Sequence, residues 1–222
     1  MSKNTFVTNA KAPLYILLLL LFIICNSCIK LNNESSQADI NFLTDFSPQH
    51  PNGDINVVIE IPAGTLEKWE VTKPSGELAL EQINRQPRIV QYIGYPGNYG
   101  MIPQTLLPKS AGGDGDPLDV LVLGSSVKRG SVIKAKVLGV LRLLDGGEQD
   151  DKLIAVQADS PLYHLNSIEE LVEDYKGITG IIETWFSNYK GPGKLESNGY
   201  ADRTRANEIL EVAIAAYKEA QE

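Results

Sequence analysis

The stretch "GGDGDPLDVLVLG", residues 112–124, constrains the fold of this chain more than any other. Three aspartates, Asp114, Asp116 and Asp119, fall within six positions, and an unbroken apolar run follows at once. The run reads as a buried strand. The loop before it then carries its charges at the mouth of that strand, on a rigid base. Carboxylates so close repel one another, and without a partner at least one would take up a proton. A hard divalent cation with oxygen ligands resolves the conflict. Gly112, Gly113 and Gly115 let the chain fold tightly there, and Pro117 stiffens the turn. As an isolated feature the same pattern is that of a solvated acidic turn. It is not an EF-hand loop: Leu118 and Asp119 stand where that loop needs Asp or Asn and then Gly, and Ser125 stands at its twelfth position, where Glu is required.

Other short apolar runs surround this one, punctuated by Gly, Pro and Asp. "INVVIEIPAG" (55–64), "KWEV" (68–71), "RIVQYIGYP" (88–96), "PLDVLVLG" (117–124), "SVIKAKVLGVLRLLD" (131–145, bent at Gly139) and "KLIAVQ" (152–157) read as strands. The last third changes period. "NSIEELVEDY" (166–175) opens with Ser167 and Glu170 at capping-box spacing. The stretches 180–190 and 201–220 repeat apolar residues at helical spacing. The expected fold is α+β and mainly β, an antiparallel barrel with helices packed outside.

Charge and cysteines exclude several classes. Twenty basic residues against 28 acidic ones give a net charge of −8, which makes the chain a poor candidate for sequence-independent nucleic-acid binding, since that needs a basic stripe, and an anionic substrate would need local cations or metals. The two histidines, His50 and His164, lack zinc-ligand spacing. Both cysteines lie near the N-terminus. There Lys3 and Lys11 precede the apolar run Leu14 to Cys25, a length that suits a signal peptide better than a membrane span. "CNSC" then resembles a bacterial lipobox with Cys28 as the lipidated residue, although Cys25 stands where an aliphatic residue is usual. The other reading is an uncleaved anchor helix ending near Ile29. The expected organisation is a lipoprotein-type signal peptide over 1–27, a tether over 28–52 and a domain over 53–222. The folded part would sit outside the cytoplasm, lipid-anchored to a bacterial membrane, in the periplasm or at the cell surface. With Cys28 lipidated and Cys25 removed, no thiol is left for disulfides or cysteine catalysis.

Three more polar sets stand out. "LLDGGEQDDK" gives Asp145, Asp150 and Lys152 in a turn between two apolar strands. A polyanion site wants such carboxylates and direct cations together. Glu60 interrupts an apolar strand, and Lys68 and Glu70 share one face of the next by the period of two. Tyr95 and Tyr99 stand four apart in "GYPGNYG", and Tyr189 precedes Lys190. Phenol hydroxyls can donate to phosphate oxygens. Each set also has an ordinary structural reading: an exposed hairpin turn, a half-exposed sheet, or rings packed at turns.

Taken in order, these sets resemble the soluble family I inorganic pyrophosphatases, from about Ile55 to Lys190, with "DGDPLDVLV" as the closest match. The resemblance implies a distorted five-stranded OB-like barrel with helices outside. It implies Mg²⁺-dependent hydrolysis of pyrophosphate, with several ions bound and Mn²⁺ or Zn²⁺ able to stand in. It also implies a homo-oligomer. Residue by residue, Asp114, Asp119 and Asp150 would hold the activating metals, with Asp119 bridging two, and Glu60 and Asp145 those that arrive with substrate. Asp116 would be the base that takes a proton from the attacking water. Lys68, Lys152, Tyr189 and Lys190 would grip phosphate oxygens. Tyr99 would stand near the nucleophile, Tyr95 would line the pocket and Glu70 would lie in the outer shell. A phosphate-binding arginine is expected between the "SG" turn and Tyr95. Arg88 fits as the opening of a strand, with Arg85 as the other candidate. A competing reading is a non-catalytic OB-like module that binds metal and phosphate compounds, or an oligosaccharide, at the cell surface. A third is a phosphatase of broader scope.

Overall fold

Among the described residues eleven strands carry the fold, three α-helices flank them, and five of the strands decide its shape. The structure is a computed structural model that describes residues 40–221. The expected leader over 1–27, Cys28 and the expected tether up to residue 39 lie outside the described residues. The strands are β1 (Ile55–Ile61), β2 (Trp69–Val71), β3 (Leu78–Leu80), β4 (Gln82–Ile83), β5 (Gln86–Pro87), β6 (Asn98–Met101), β7 (Asp119–Leu123), β8 (Val132–Asp145), β9 (Glu148–Gln149), β10 (Lys152–Gln157) and β11 (Leu195–Ala201). The helices are α1 (Ile168–Asp174), α2 (Ile178–Asn188) and α3 (Arg203–Glu219).

The strands β1, β6, β7, β10 and β8 pair in that order, and β8 pairs back onto β1, so the five close into a hydrogen-bonded ring. The expected α+β fold with five central strands is present, but its sheet is mixed. β7 and β10 run parallel, Val120 opposite Leu153, while the other four pairs of the ring are antiparallel. The reason is topological: direction cannot alternate all the way round an odd number of strands, so at least one pair must be parallel.

Alternation along β7 explains its unbroken apolar sequence. Leu121 and Leu123 join one buried cluster and Val120 and Val122 another. Helices α1 and α2 complete the first cluster with Ile168, Leu171, Ile182, Trp185 and Phe186. Helix α3 completes the second with Ala206, Ile209, Leu210 and Ala213. A strand apolar on both faces therefore has both faces covered.

Local side-chain bonds open two of the helices, at Ser167 as expected and at Asp202 as the structure adds. Ser167 Oγ accepts from Glu170 N at 3.2 Å to cap α1, and the returning bond runs from Asn166 N to Glu170 Oε2 at 2.7 Å, one residue earlier than in the standard box. Asp202 caps α3 by accepting from Arg205 N at 2.9 Å. In β8 the register slips opposite Ile154 and Ala155, leaving an extra residue beside Gly139. A Cβ at Gly139 would come within 2.4 Å of the Ile168 side chain and 2.6 Å of Ala201 O, so α1 and β11 pack directly on bare backbone.

The expected strand over 88–96 is absent. Only Ile89 bridges, to Glu67, and the segment runs irregularly beside 64–68, where Val90 N donates to Leu66 O and Lys68 N to Arg88 O. Its apolar residues do not alternate toward a core, since Tyr92 and Ile93 are exposed, the latter by 67%. The strand begins instead at Asn98, after the Gly and Pro residues of "GYPGN". β11 carried no sequence signal, because "LESNGYA" is polar and pairs only at the sheet's margin on β8.

The compact unit begins at Ile40. Residues 40–52 are fastened to it by Phe42 N to Gly76 O at 2.9 Å, Gln104 N to Leu43 O at 3.0 Å and Asn56 N to Pro48 O at 3.0 Å. Asp54, only 2% exposed, then precedes β1. It accepts from Tyr163 Oη at 2.6 Å and Asn52 Nδ2 at 2.9 Å, and pairs with Lys134 at 3.2 Å. Burial opposes its charge, but these three partners together hold the carboxyl below its usual range. A lowered folded pKa stabilises the protein above the unfolded value, and that stability is lost as pH falls through the folded one. Asp54→Asn should therefore destabilise the chain at pH 7 in denaturant titrations, with the deficit closing below about pH 4. A deficit that is the same at pH 7 and pH 3 would contradict this.

Candidate active site

Strands on one side of the ring and the loop before β7 open into one cavity. Its volume is about 360 Å³, and Glu60 of β1, Lys68 and Glu70 around β2, Lys73 in the turn after β2, Asp114 and Asp116 of the loop, and Asp119 at the start of β7 all line it. The loop is shaped by its own backbone. Gly115 has φ +86°, a left-handed conformation that favours glycine. Gly115 N donates to Leu107 O at 3.0 Å, Leu107 N to Asp116 O at 2.8 Å, and Asp116 N to Asp114 Oδ1 at 2.8 Å. Leu118 N, buried, donates to Thr105 Oγ1 at 2.9 Å. The segment 105–107 thus clamps the loop and sets where its carboxylates stand.

Lysines meet the carboxylates. Lys152, 3% exposed at the start of β10, forms ion pairs with both Asp119 and Asp150. Lys73 pairs with Asp116 and donates to Gly115 O at 2.9 Å. Lys190 donates to Asp145 Oδ2 at 2.6 Å. Glu60 has a backbone partner instead: its Oε1 accepts from Val71 N at 2.7 Å. Burial, opposed by Lys68 and reinforced by Asp119, pushes its carboxyl up to about 8. Burial also works against the charge on Asp119, yet Lys152 and Lys68, with the Tyr99 hydroxyl, hold that carboxyl below its usual range. For Lys152 burial favours the neutral amine, but Asp119 and Asp150 outweigh it and keep the ammonium. Tyr99 and Tyr95 are both pushed well up, first by burial and then by neighbouring negative charge, so each stays a hydroxyl donor.

A second cavity of about 440 Å³ holds Arg88, Asp145, Tyr189, Lys190 and Lys194. Aromatic rings join it to the first. Lys68 and Lys152 lie 5.9 and 6.0 Å from the Tyr99 ring centre, Tyr99 is 5.2 Å from Tyr95, and Tyr95 is 6.3 Å from Tyr189. Trp185 backs this row, 4.4 Å from Tyr95 and stacked at 4.5 Å on Tyr189. Of the expected site residues, Glu60, Lys68, Glu70, Asp114, Asp116 and Asp119 line the first cavity and Arg88, Asp145, Tyr189 and Lys190 the second; Asp150, Lys152, Tyr95 and Tyr99 line neither, Lys152 pairing with Asp119 and Asp150 and the two tyrosines lying in the aromatic row. Of the two arginines, Arg88 lines the second cavity and is held by Glu81 through contacts of 2.9 and 2.7 Å. Arg85 is exposed at the tip of the β4–β5 hairpin with φ +64°. Sequence reasoning missed Lys73 and Lys194. Nothing local marks either, since both are lysines in Gly/Pro turns.

Among the described residues, no three His, Cys, Asp or Glu side chains converge as a ready ligand set. Lysine ammonium groups stand among the carboxylates instead. The chemistry of the donors nonetheless fits a hard divalent cation: they are all carboxylate oxygens lining one cavity, and burial keeps the Glu60 carboxyl from ionising despite Lys68 nearby, a cost that a bound cation would relieve.

Comparison with known proteins points one way. The family model described as inorganic pyrophosphatase matches residues 57–218. The inorganic pyrophosphatase of Gluconobacter oxydans is 40% identical over 172 residues, covering 74% of this chain and 92% of that one. The one from Halalkalibacterium halodurans is 39% identical over 168 residues, covering 74% and 95%. Among solved structures, the Helicobacter pylori inorganic pyrophosphatase superposes with a TM-score of 0.66 at 33% identity over 78% of this chain and 99% of its own. That of Schistosoma japonicum gives 0.74 at 29% identity over 80% and 72%.

Proposed function

We infer the function from one premise: this chain belongs to the inorganic pyrophosphatase family, and it is an enzyme that hydrolyses pyrophosphate to two phosphates. The single observation that carries the finer reading is the cavity in which Asp114, Asp116, Asp119 and Glu60 face Lys68 and Lys73, with Lys152 behind them. We propose that Mg²⁺ is the working ion, with Mn²⁺ or Zn²⁺ able to replace it. Asp114, Asp119 and Asp150 would hold the resident ions, and Glu60 and Asp145 those that accompany the substrate. Bound divalent ions supply positive charge against the polyanion and acidify a water.

The chain's own groups do the rest. Asp116 accepts the proton of the attacking water. Lys68, Lys152, Arg88, Tyr189 and Lys190 hold phosphate oxygens on the far side, so that attack is in line and charge on the leaving phosphate is met by fixed donors. Tyr99, kept protonated by its burial, donates near the attacked phosphorus, and Tyr95 packs beside it, 5.2 Å from Tyr99 and 6.3 Å from Tyr189. Glu70 steadies Lys68 from 3.8 Å. Purified protein given Mg²⁺ and pyrophosphate should release phosphate, Ca²⁺ should inhibit, and a chelator should abolish the reaction until Mg²⁺ is restored. No release across neutral pH with several divalent ions would overturn the reading.

We also propose that the enzyme is lipid-anchored through Cys28, outside the cytoplasm, and that it is a homo-oligomer. The lipobox-like "CNSC" after an apolar run of signal-peptide length supports the anchor. Incorporation of a labelled fatty acid should depend on Cys28, and equal labelling of Cys28→Ala would refute it. Sedimentation velocity reads the oligomer.

A further inference from the structure

The contact between Lys73 and Asp116 joins two walls of the cavity that no strand pairing connects. Lys73 sits in the turn between β2 and β3, and its Nζ reaches both the Asp116 carboxylate and, at 2.9 Å, Gly115 O. From the other side the loop's backbone is clamped by 105–107 through Leu107 and Thr105. That clamp fixes the main chain and leaves the Asp116 side chain free to turn. The side chain is 54% exposed, so on its own it would sample several rotamers. Among the described residues lining that wall, Lys68 and Glu70 pair with each other, and Lys73 is the one that crosses to Asp116. An ion pair this exposed adds little stability. Its effect is on direction.

We propose that Lys73 is a positioning residue for the hydrolysis. By gripping the Gly115 carbonyl and the Asp116 carboxylate together, it orients that carboxylate toward the attacking water. The water's proton passes to Asp116, its oxygen bonds to phosphorus and the bridging P–O bond breaks, while Lys73 keeps its own protons throughout. The inference rests on the reading of Asp116 as the base.

The test uses the full chain with Mg²⁺ and pyrophosphate, in four variants: Lys73→Met, Lys73→Arg, Asp116→Asn and the Met/Asn double variant. Lys73→Met should lower kcat about tenfold, a modest share of what misplacing a reacting group can cost. KM should move less than about twofold, and the thermal midpoint should stay in place. Lys73→Arg should recover most of kcat, since a guanidinium can grip the same two oxygens. In the Asp116→Asn background, Lys73→Met should change turnover less than about twofold, because the group it orients is gone. A tenfold loss that persists in that background would overturn the proposal, as would a rise in KM with kcat intact or no change at all. If Asp116→Asn alone retained full turnover, the base assignment itself would fail, whatever Lys73→Met shows.

Discussion

Asp116→Asn should remove most turnover, about 10²- to 10⁴-fold in kcat, the range a positioned general base supplies. The fold should survive it. Asp116 is about half exposed on a loop whose backbone bonds come from 105–107, so its carboxylate carries little of the structure. Unfolding free energy should shift by no more than about 0.5 kcal/mol, as for other exposed positions. Asp119→Asn is a poorer probe for a physical reason. Lys152 is buried and shares its charge between Asp119 and Asp150, so neutralising Asp119 strips half the compensation from a buried ammonium and mixes stability with catalysis. Asp116→Asn with near wild-type kcat and an intact unfolding curve would remove Asp116 from the mechanism.

Trp185→Ala should produce the largest loss of stability. The ring is 1% exposed, its Nε1 donates to Ile93 O at 2.9 Å, and it packs on Tyr95, Phe186 and Tyr189. Removing it empties a large volume where α2 meets the irregular 88–96 segment. A truncation of this kind costs about 3–5 kcal/mol, or a fall in Tm on the order of 10 °C for a chain of this size. Activity should change as well, because Tyr95 and Tyr189 lose the ring they lean on. The expected signature is a rise in KM from a loosened phosphate side, beyond what the unfolded fraction explains. Trp185→Phe should recover much of the stability and leave Ile93 O without its donor. A Trp185→Ala protein with unchanged Tm would show that this region is not the packed base it looks to be.

Legibility followed the range of the interaction. The ring strands β1, β7, β8 and β10, all three helices and the cap at Ser167 are written in local apolar period and in a short side chain that bonds its own backbone. The strand expected over 88–96 failed because an apolar run with Gly and Pro at its end says nothing of which neighbour it meets. Here the neighbour is the irregular 64–68 segment. β11 was silent for the opposite reason, since a polar strand at a sheet margin is stabilised by main-chain bonds to β8 that any sequence can make.

Read along the chain alone, an acidic loop before an apolar strand, with carboxylates, lysines and tyrosines in one order, already carries the family resemblance. Those features are local, and neighbouring charges repel or attract whatever the fold. Tertiary structure alone decided which cation meets which carboxylate. Lys73 reaches Asp116 across 43 residues, and Lys152 is set between Asp119, 33 residues away, and Asp150. It also decided the parallel pairing of β7 with β10, which brings Asp119 beside Lys152. Closing five strands into a ring requires a parallel pair somewhere, and no stretch of sequence read alone contains that requirement.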